Sequence, residues 1–267
     1  MHAIATPTRT ALLHRGVELA SLTGPMVQAL RASPACAAML RPVQWNNAQA
    51  WDLVATDLTM ALQDVQTVLA AQDLSPPAGD EAVDVFHPAT QGRLATVARP
   101  LARVLGMEMH SAHLLLRRGE HVCLQRRSLS KPVDPGLWDT TVGGTRRAGQ
   151  GIWDTLEREM QEEAGLAQHQ LRALRPAHQF VFRGEARYAG YPAYQHERVW
   201  LWIAELADSA WEPHCADGEV MAFDWVPWRD LLQTPSRWQS THELQAILAD
   251  PQVQRTLSGK FIDGERS

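Results

Sequence analysis

Residues 143–166 of the chain read GGTRRAGQGIWDTLEREMQEEAGL. Positions three and four apart on a helix share a face, so a helix here would gather Glu159, Glu162 and Glu163 into one stripe about 100° wide. Like charges at this spacing repel each other by a few tenths of a kcal/mol per pair, roughly. The stretch therefore predicts a helix, ended by Gly165, whose acidic face is stabilised by water, by arginines or by a bound cation.

The bulk composition is that of a globular protein. The 267 residues are 45% hydrophobic and 21% charged, so large-scale disorder is not expected. The length suits one large domain or a catalytic domain with a smaller companion, and we expect two unequal domains. A net charge of −5 argues against a dedicated nucleic-acid binder, which would need a concentrated basic surface. A small phosphate-bearing substrate stays compatible with this charge, because a metal can supply the positive charge.

The cysteines and the apolar segments bear on location. Cys36, Cys123 and Cys215 are far apart and form no C-x-x-C pair, which is typical of reduced thiols and not of a disulfide framework or a zinc site. No stretch approaches the roughly 20 apolar residues of a membrane span, and the N-terminus lacks the apolar core of a secretory signal. We therefore expect a cytoplasmic protein that binds neither membranes nor nucleic acid.

The first hundred residues predict mainly helices. Residues 51–74 have apolar positions at helical spacing, which indicates an amphipathic helix. The residues on its apolar face are Leu53, Leu58, Leu62 and Val65. Pro, Gly and Asp then break the period in residues 73–92, as in a loop or a domain boundary. Residues 93–107 predict a further helix, which Pro100 would kink or restart.

After residue 110 the period changes to that of strands. Residues 113–128 predict two short strands joined near Gly119, and three later segments are rich in β-branched and aromatic residues. These segments are residues 178–188, 198–206 and 218–227. Short helices are expected at residues 228–233 and 241–250. We predict an accessory, mainly helical domain over residues 1–105 and an α/β domain over residues 106–267.

The opening stretch resembles the Nudix box, G-x5-E-x7-R-E-U-x-E-E-x-G-U, where U is a bulky aliphatic residue. The matching residues are Gly144, Arg158, Glu159, Glu162, Glu163, Gly165 and Leu166, with Met160 a loose match at the first U. One fixed position differs, because Gln150 stands where the pattern has its first glutamate. The resemblance implies an α/β/α sandwich with a mixed sheet, in which the box helix binds Mg²⁺ or Mn²⁺ through its glutamates, as suits hard oxygen ligands.

The resemblance also implies roles for residues around the box. Glu159, Glu162 and Glu163 are the expected metal ligands, together with the Gly143 carbonyl. A further carboxylate from a later strand commonly serves as ligand or base, and Glu219 is our candidate, with Glu197 and Glu205 as weaker alternatives. Arg158 would orient a glutamate of the cluster. Either Glu159 or Glu219 would accept the proton from the attacking water.

Residues 126–144 resemble the approach to the box in Nudix proteins related to the partner of thiamine pyrophosphokinase, which carry an added N-terminal domain. This implies hydrolysis of a diphosphate in a nucleoside-like or thiamine diphosphate-like small molecule. The candidate substrate contacts are Arg126, Arg127, Lys131 and Trp138. Arginine suits phosphate oxygens, and Trp138 offers a ring for stacking.

Two other functions stay open. An inactive Nudix-fold sensor would explain Gln150. An isopentenyl diphosphate isomerase shares the fold and a similar approach, but its chemistry needs a cysteine shortly after the tryptophan, where this chain reads WDTTVGG over residues 138–144. The oligomeric state is also open, a homodimer being one arrangement.

Overall fold

A computed structural model describes residues 8–208, 210–216, 218–233 and 238–259. The chain divides into two compact units. The first contains residues 1–109, 147–149 and 183–197, and the second contains residues 110–146, 150–182 and 198–267.

The first unit contains two sheets. Four strands, in the order β2-β1-β4-β3, form the larger one: β1 (Arg9–His14), β2 (Val17–Thr23), β3 (Leu40–Trp45) and β4 (Ala48–Leu53). Strand β1 pairs with β2 antiparallel and with β4 parallel. The smaller sheet pairs β5 (Ala82–Phe86) with β6 (Arg93–Ala98) antiparallel.

The helices among the described residues of this unit are α1 (Gly24–Ala32), α2 (Pro34–Met39), α3 (Leu58–Ala71) and α4 (Arg99–Leu105). The mainly helical character predicted for this region was therefore wrong, since strands are as prominent as helices. The predicted helix over residues 51–74 begins only at Leu58, and Leu53 lies in β4. Pro100 does not kink a longer helix. It lies in the first turn of α4, where proline's missing N–H costs no helical hydrogen bond.

The largest sheet has the order β11-β12-β7-β8-β13 and lies mostly in the second unit, while residues 183–197 of β11 and β12 belong to the first. Its strands are β7 (Met109–Arg118), β8 (His121–Arg127), β11 (Leu171–Tyr188), β12 (Tyr191–Leu206) and β13 (Val220–Pro227). Two short strands join its middle: β9 (Trp138–Asp139) pairs with β8, and β10 (Val142–Thr145) pairs with β7. Each predicted strand of this region is present, and β11 and β12 are longer than predicted.

Helices cover both faces of this sheet. Leu114 and Leu116 of β7 pack with helix α5 (Ile152–Ala164), while the intervening Leu115 packs in the cluster that contains α6, α7 and α8. These three helices are α6 (Trp228–Gln233), α7 (His242–Ala249) and α8 (Pro251–Ser258). Because successive strand residues point to opposite faces, the leucines at 114–116 of β7 contribute to the apolar cores on both sides of the sheet. The predicted α/β/α sandwich is confirmed.

No helix within the described residues is long and apolar enough to cross a membrane. The division into domains at residues 1–105 and 106–267 stays a proposal.

Candidate active site

Helix α5 has well-defined ends. At its start the Gly151 N–H donates to the Asp154 carboxylate at 2.9 Å. At its end Gly165 has φ +64°, and the Leu166 N–H donates to the Met160 carbonyl at 2.9 Å. A left-handed residue at this point closes a helix and favours glycine. A Cβ at Gly165 would also lie 2.1 Å from the His214 ring, so this position excludes other side chains.

The acidic face of α5 points inward. Leu156, Met160 and Ala164 enter the core beneath the sheet, and the neighbouring row of Glu159 and Glu163 is also buried. Because ionised carboxylates are almost never fully buried without partners, this row is not a solvated surface. Of Glu159, Glu162 and Glu163, only Glu162 is partly exposed.

Glu163 is fully buried and has three partners. The Gly143 N–H donates to its Oε2 at 2.9 Å, Gln125 Nε2 donates to the same oxygen at 3.1 Å, and Lys131 Nζ approaches its Oε1 at 3.4 Å. Burial raises the pKa of Glu163, and the three partners oppose that rise. Gly143 thus contacts the cluster through its N–H, whereas its predicted use as a carbonyl ligand is untested.

The neighbouring Glu159 has a raised pKa. Burial, and then the negative charge of Glu163, raise the pKa of Glu159 to about 7, against the favourable effect of Arg158. Arg158 Nη1 lies 2.8 Å from both Glu159 and Glu162. A Cβ at Gly144 would lie 1.8 Å from Glu159 Oε1. The glycine at the start of the box therefore provides the space that the Glu159 carboxylate occupies.

Glu219 reaches the cluster through Lys131. It precedes β13, its side chain is half exposed, and it forms an ion pair with Lys131, which also contacts Glu163. The segment before it is fastened to the end of α5, since the Ala216 N–H donates to the Glu162 carbonyl at 3.0 Å. The predicted neighbourhood of Glu219 and the box helix is thus present, although its catalytic role is a proposal.

The two weaker alternatives are engaged elsewhere. Glu197 pairs with Arg103 at 2.7 Å, within the first unit. Glu205 pairs with Arg117 at 3.0 Å, and both side chains are buried. Each carboxylate thus balances a buried or half-buried arginine. In these contacts neither carboxylate pairs with a residue of helix α5.

The loop over residues 128–137 is held by the two arginines predicted to bind substrate. Arg127 donates to the Val133 carbonyl through Nε and Nη2, and its Nη1 lies 2.9 Å from Asp139. Arg126 donates to the Gly136 carbonyl at 3.1 Å but is exposed. Arg127 thus makes structural contacts with this loop, and its role in substrate binding stays a prediction. Arg126 keeps an exposed guanidinium.

Trp138 packs edge-on against Trp238, with ring centroids 5.3 Å apart. The pair belongs to the apolar cluster on the side of the sheet covered by α6, α7 and α8. This contact favours a packing role, and the stacking role predicted for Trp138 stays untested.

The sequence interpretation missed two contributors to the site. Gln125 interrupts an apolar strand, and the packing of helix α5 on the sheet brings it to Glu163. The buried His113 bonds to Thr140 through Nδ1 at 3.0 Å and lies against Gly143, where a Cβ would be 2.8 Å from its ring. A polar residue inside each predicted apolar strand was the available signal.

A model of the NUDIX domain matches residues 108–246, just over half of the chain. The chain belongs to the NUDIX family. An uncharacterized Nudix hydrolase of Pseudomonas aeruginosa is 44% identical over 59 residues, which are 22% of this chain and 35% of that protein. The match thus spans about a third of that relative's length. An isopentenyl-diphosphate Delta-isomerase of Halorhodospira halophila is 32% identical over 165 residues, 59% of this chain and 89% of that protein.

A solved structure supports the same fold. The Deinococcus radiodurans protein DR0079 superposes with a TM-score of 0.50 at 17% identity, over 63% of this chain and 97% of that protein. The predicted Nudix fold is therefore confirmed, and the prediction of a Nudix hydrolase agrees with the family match. These similarities do not distinguish the subgroup related to the partner of thiamine pyrophosphokinase from other Nudix proteins.

The departure from the Nudix pattern lies just before α5. The side-chain oxygen Oε1 of Gln150 is buried and accepts no hydrogen bond within the described part of the chain. The backbone carbonyl of Gln150 accepts from Arg146 Nε. None of the hydrogen bonds described here joins the Gln150 side chain to Glu159 or Glu163.

The donor set of this Nudix site fits a hard divalent cation. Mg²⁺ in phosphate enzymes is held by one or two carboxylates, with water and substrate oxygens completing its shell. Glu159 and Glu163 are carboxylates whose pKa values are raised first of all by burial, which an added cation would oppose. Over the described ranges no three His, Cys, Asp or Glu side chains converge as a ready metal cluster. Arg158 and Lys131 instead pair with the carboxylates.

Proposed function

We propose that this Nudix protein hydrolyses a diphosphate bond in a small organic molecule with the help of Mg²⁺ or Mn²⁺. The burial of Glu159 and Glu163 side by side on α5, which raises the cost of ionising each carboxyl, is the observation that carries the proposal. A cation and a diphosphate would together offset that cost. A bound divalent ion supplies positive charge to the phosphate oxygens and acidifies the attacking water.

The residues of the chain divide the remaining work. Glu163 is held by Gly143, Gln125 and Lys131, and with Glu162 we assign it to metal binding. Glu159 has a pKa of about 7, which suits a base at neutral pH. We therefore favour Glu159 over Glu219 as the group that takes the proton when water attacks phosphorus. The new P–O bond forms as the anhydride P–O bond breaks, giving a monophosphate and either phosphate or a second monophosphate.

Substrate contacts are proposed at the loop over residues 128–137. The exposed guanidinium of Arg126, near the end of β8, and the Lys131 ammonium of the loop are cations that suit a diphosphate. Trp138 is proposed as a wall for the organic part of the substrate. The resemblance around residues 126–144 makes thiamine diphosphate-like compounds the first class to test, with nucleoside diphosphate derivatives second.

The isomerase similarity supports a second candidate activity. Isopentenyl-diphosphate Delta-isomerase of Halorhodospira halophila shares 32% identity with this chain. The required cysteine is absent from residues 138–144, and at Gly143 a Cβ would meet the His113 ring at 2.8 Å. Cys123 is buried, and burial raises the pKa of its thiol far above the ordinary value. These observations support the hydrolase over the isomerase.

The testing experiment measures phosphate and monophosphate release from a diphosphate panel with Mg²⁺ or Mn²⁺. The panel contains thiamine diphosphate, its oxo analogue, ADP-ribose, NADH, nucleoside di- and triphosphates and isopentenyl diphosphate. Wild type is compared with Glu159→Gln and Glu163→Gln. The matched control is Glu157→Gln, because Glu157 is exposed on the same helix and loses the same charge.

Metal-dependent release that collapses in the two buried variants but survives in Glu157→Gln supports the hydrolase. Conversion of isopentenyl diphosphate to its allylic isomer, without phosphate release, would support the isomerase. Binding of a panel member without turnover would support a sensor, in which Gln150 would account for the missing activity.

A further inference from the structure

Lysine is rare in this chain. Of 25 lysines and arginines, 23 are arginine, and the two lysines are Lys131 and Lys260. Lys131 is the single lysine among the described residues, because Lys260 lies outside them. The one described lysine is thus the side chain that contacts the carboxylate cluster of the candidate site.

Lys131 bridges two carboxylates that come from different elements. Its Nζ lies 3.4 Å from Oε1 of Glu163, which belongs to α5, and it also pairs with Glu219, which precedes β13. The Lys131 side chain is 14% exposed and that of Glu163 is 0% exposed. The ammonium therefore supplies a positive charge to a carboxylate that water does not reach.

The backbone around Lys131 is fastened on both sides. The Lys131 N–H donates to the Ser128 carbonyl at 3.2 Å, and the Ser128 N–H donates to the Glu219 carbonyl at 2.8 Å. The Arg127 guanidinium donates to the Val133 carbonyl in the same loop. With its backbone fixed, the side chain of Lys131 can turn without moving the loop, because its four-carbon stem is flexible and its charge is a compact point.

We propose that the Lys131 ammonium is a built-in cation that occupies the site in the metal-free protein, and that a divalent ion displaces it from Glu163 and Glu219. This inference rests on the proposed metal dependence. Two cations close to the same carboxylate oxygens repel each other, so a divalent ion and the Lys131 ammonium compete for Glu163 and Glu219. The lysine keeps the cluster assembled before the metal arrives, and at the same time it weakens metal affinity.

The experiment measures Mn²⁺ affinity by calorimetry without any substrate. Lys131→Met is expected to bind Mn²⁺ about tenfold more tightly than wild type, because the competing charge is gone. Lys131→Arg, which keeps the charge, retains the wild-type affinity. Lys260→Met, which loses the same charge elsewhere in the sequence, is the matched control and also retains it.

A second readout follows the lysine itself. Protein labelled with ¹³C at the lysine ε carbon contains two labelled side chains, and Lys260→Met leaves that of Lys131 alone. Saturation with Mg²⁺ is expected to shift this signal toward that of a solvated lysine. An unchanged signal at saturation, an unchanged or weaker Mn²⁺ affinity of Lys131→Met, or no Mn²⁺ binding by either protein overturns the inference. Failure to hydrolyse any diphosphate leaves it intact, since neither readout uses a substrate.

Discussion

The backbone N–H of Gly143 donates a hydrogen bond to Oε2 of Glu163 at 2.9 Å. This contact joins the strand at the start of the Nudix box to the last glutamate on its helix, 20 residues later. Both glycines before the helix are needed for close approach: Gly143 faces the His113 ring and Gly144 faces the Glu159 carboxylate.

Alanine at these two glycines is expected to have different effects. At Gly144 the new Cβ displaces the carboxylate end of the Glu159 side chain, so kcat/KM falls by about 100-fold while the free energy of unfolding changes by less than about 1 kcal/mol. At Gly143 the Cβ meets the buried His113 ring, so the protein loses about 1–3 kcal/mol of stability. Denaturant titrations and steady-state rates check both, with Gly184→Ala as control, since a Cβ there meets open space. Equal losses of stability at Gly143 and Gly144 would contradict this assignment.

The metal-free protein is expected to lose stability as pH rises from about 5 to about 8. The folded pKa of Glu159, about 7, lies above its ordinary 4.5, so between these values the folded state binds more protons than the unfolded state. Stability from the protonated form is complete below the unfolded pKa and is lost through the folded one. At about 1.4 kcal/mol per pH unit, the loss is about 3 kcal/mol.

Urea titrations in a metal chelator at several pH values measure this loss. It is the difference between wild type and Glu159→Gln that should fall with pH, while Glu157→Gln follows wild type. A difference that is flat with pH would show that Glu159 ionises normally.

Arg127 and Arg126 should separate into a structural and a substrate role. Arg127→Met leaves the buried Asp139 without its ion-pair partner and is expected to cost about 3–5 kcal/mol of stability. Arg126→Met is expected to change stability by less than about 0.5 kcal/mol and to raise KM about tenfold through the loss of a charged hydrogen bond. Thermal melts and Michaelis profiles test this, and a stable Arg127→Met protein with a high KM would restore Arg127 to phosphate binding.

If Glu219, and not Glu205, is the added carboxylate of the site, the glutamine variants of these two residues should differ in activity and in stability. Glu219→Gln should lower kcat/KM at least about tenfold and leave stability within about 1 kcal/mol, because Glu219 is half exposed. Glu205→Gln leaves the buried Arg117 uncompensated and should cost about 3 kcal/mol of stability, with kcat/KM retained in the folded fraction. Activity lost in Glu205→Gln without a loss of stability would reverse the choice.

The predictions from sequence were most accurate where a local rule applied. The box helix and its glycine end follow from helical spacing and from the left-handed residue at Gly165. The strands from β7 onward follow from runs of apolar and β-branched residues. The strands of the first unit were missed, because Ala, Leu and Gln are common in helices and their apolar spacing in short segments fits both periods.

The sequence by itself determined the family, the carboxylate helix and the residues that carry its charge, because these depend on residue types at fixed spacing along one element. Only the tertiary structure decided which carboxylates are buried, that Lys131 and Gln125 contact Glu163, and that Arg127 holds a loop. These contacts join residues 6 to 38 positions apart, through packing of the helix on the sheet and through loop closure. Burial and partner choice arise from that packing, and with them the charge balance on which the proposed chemistry depends.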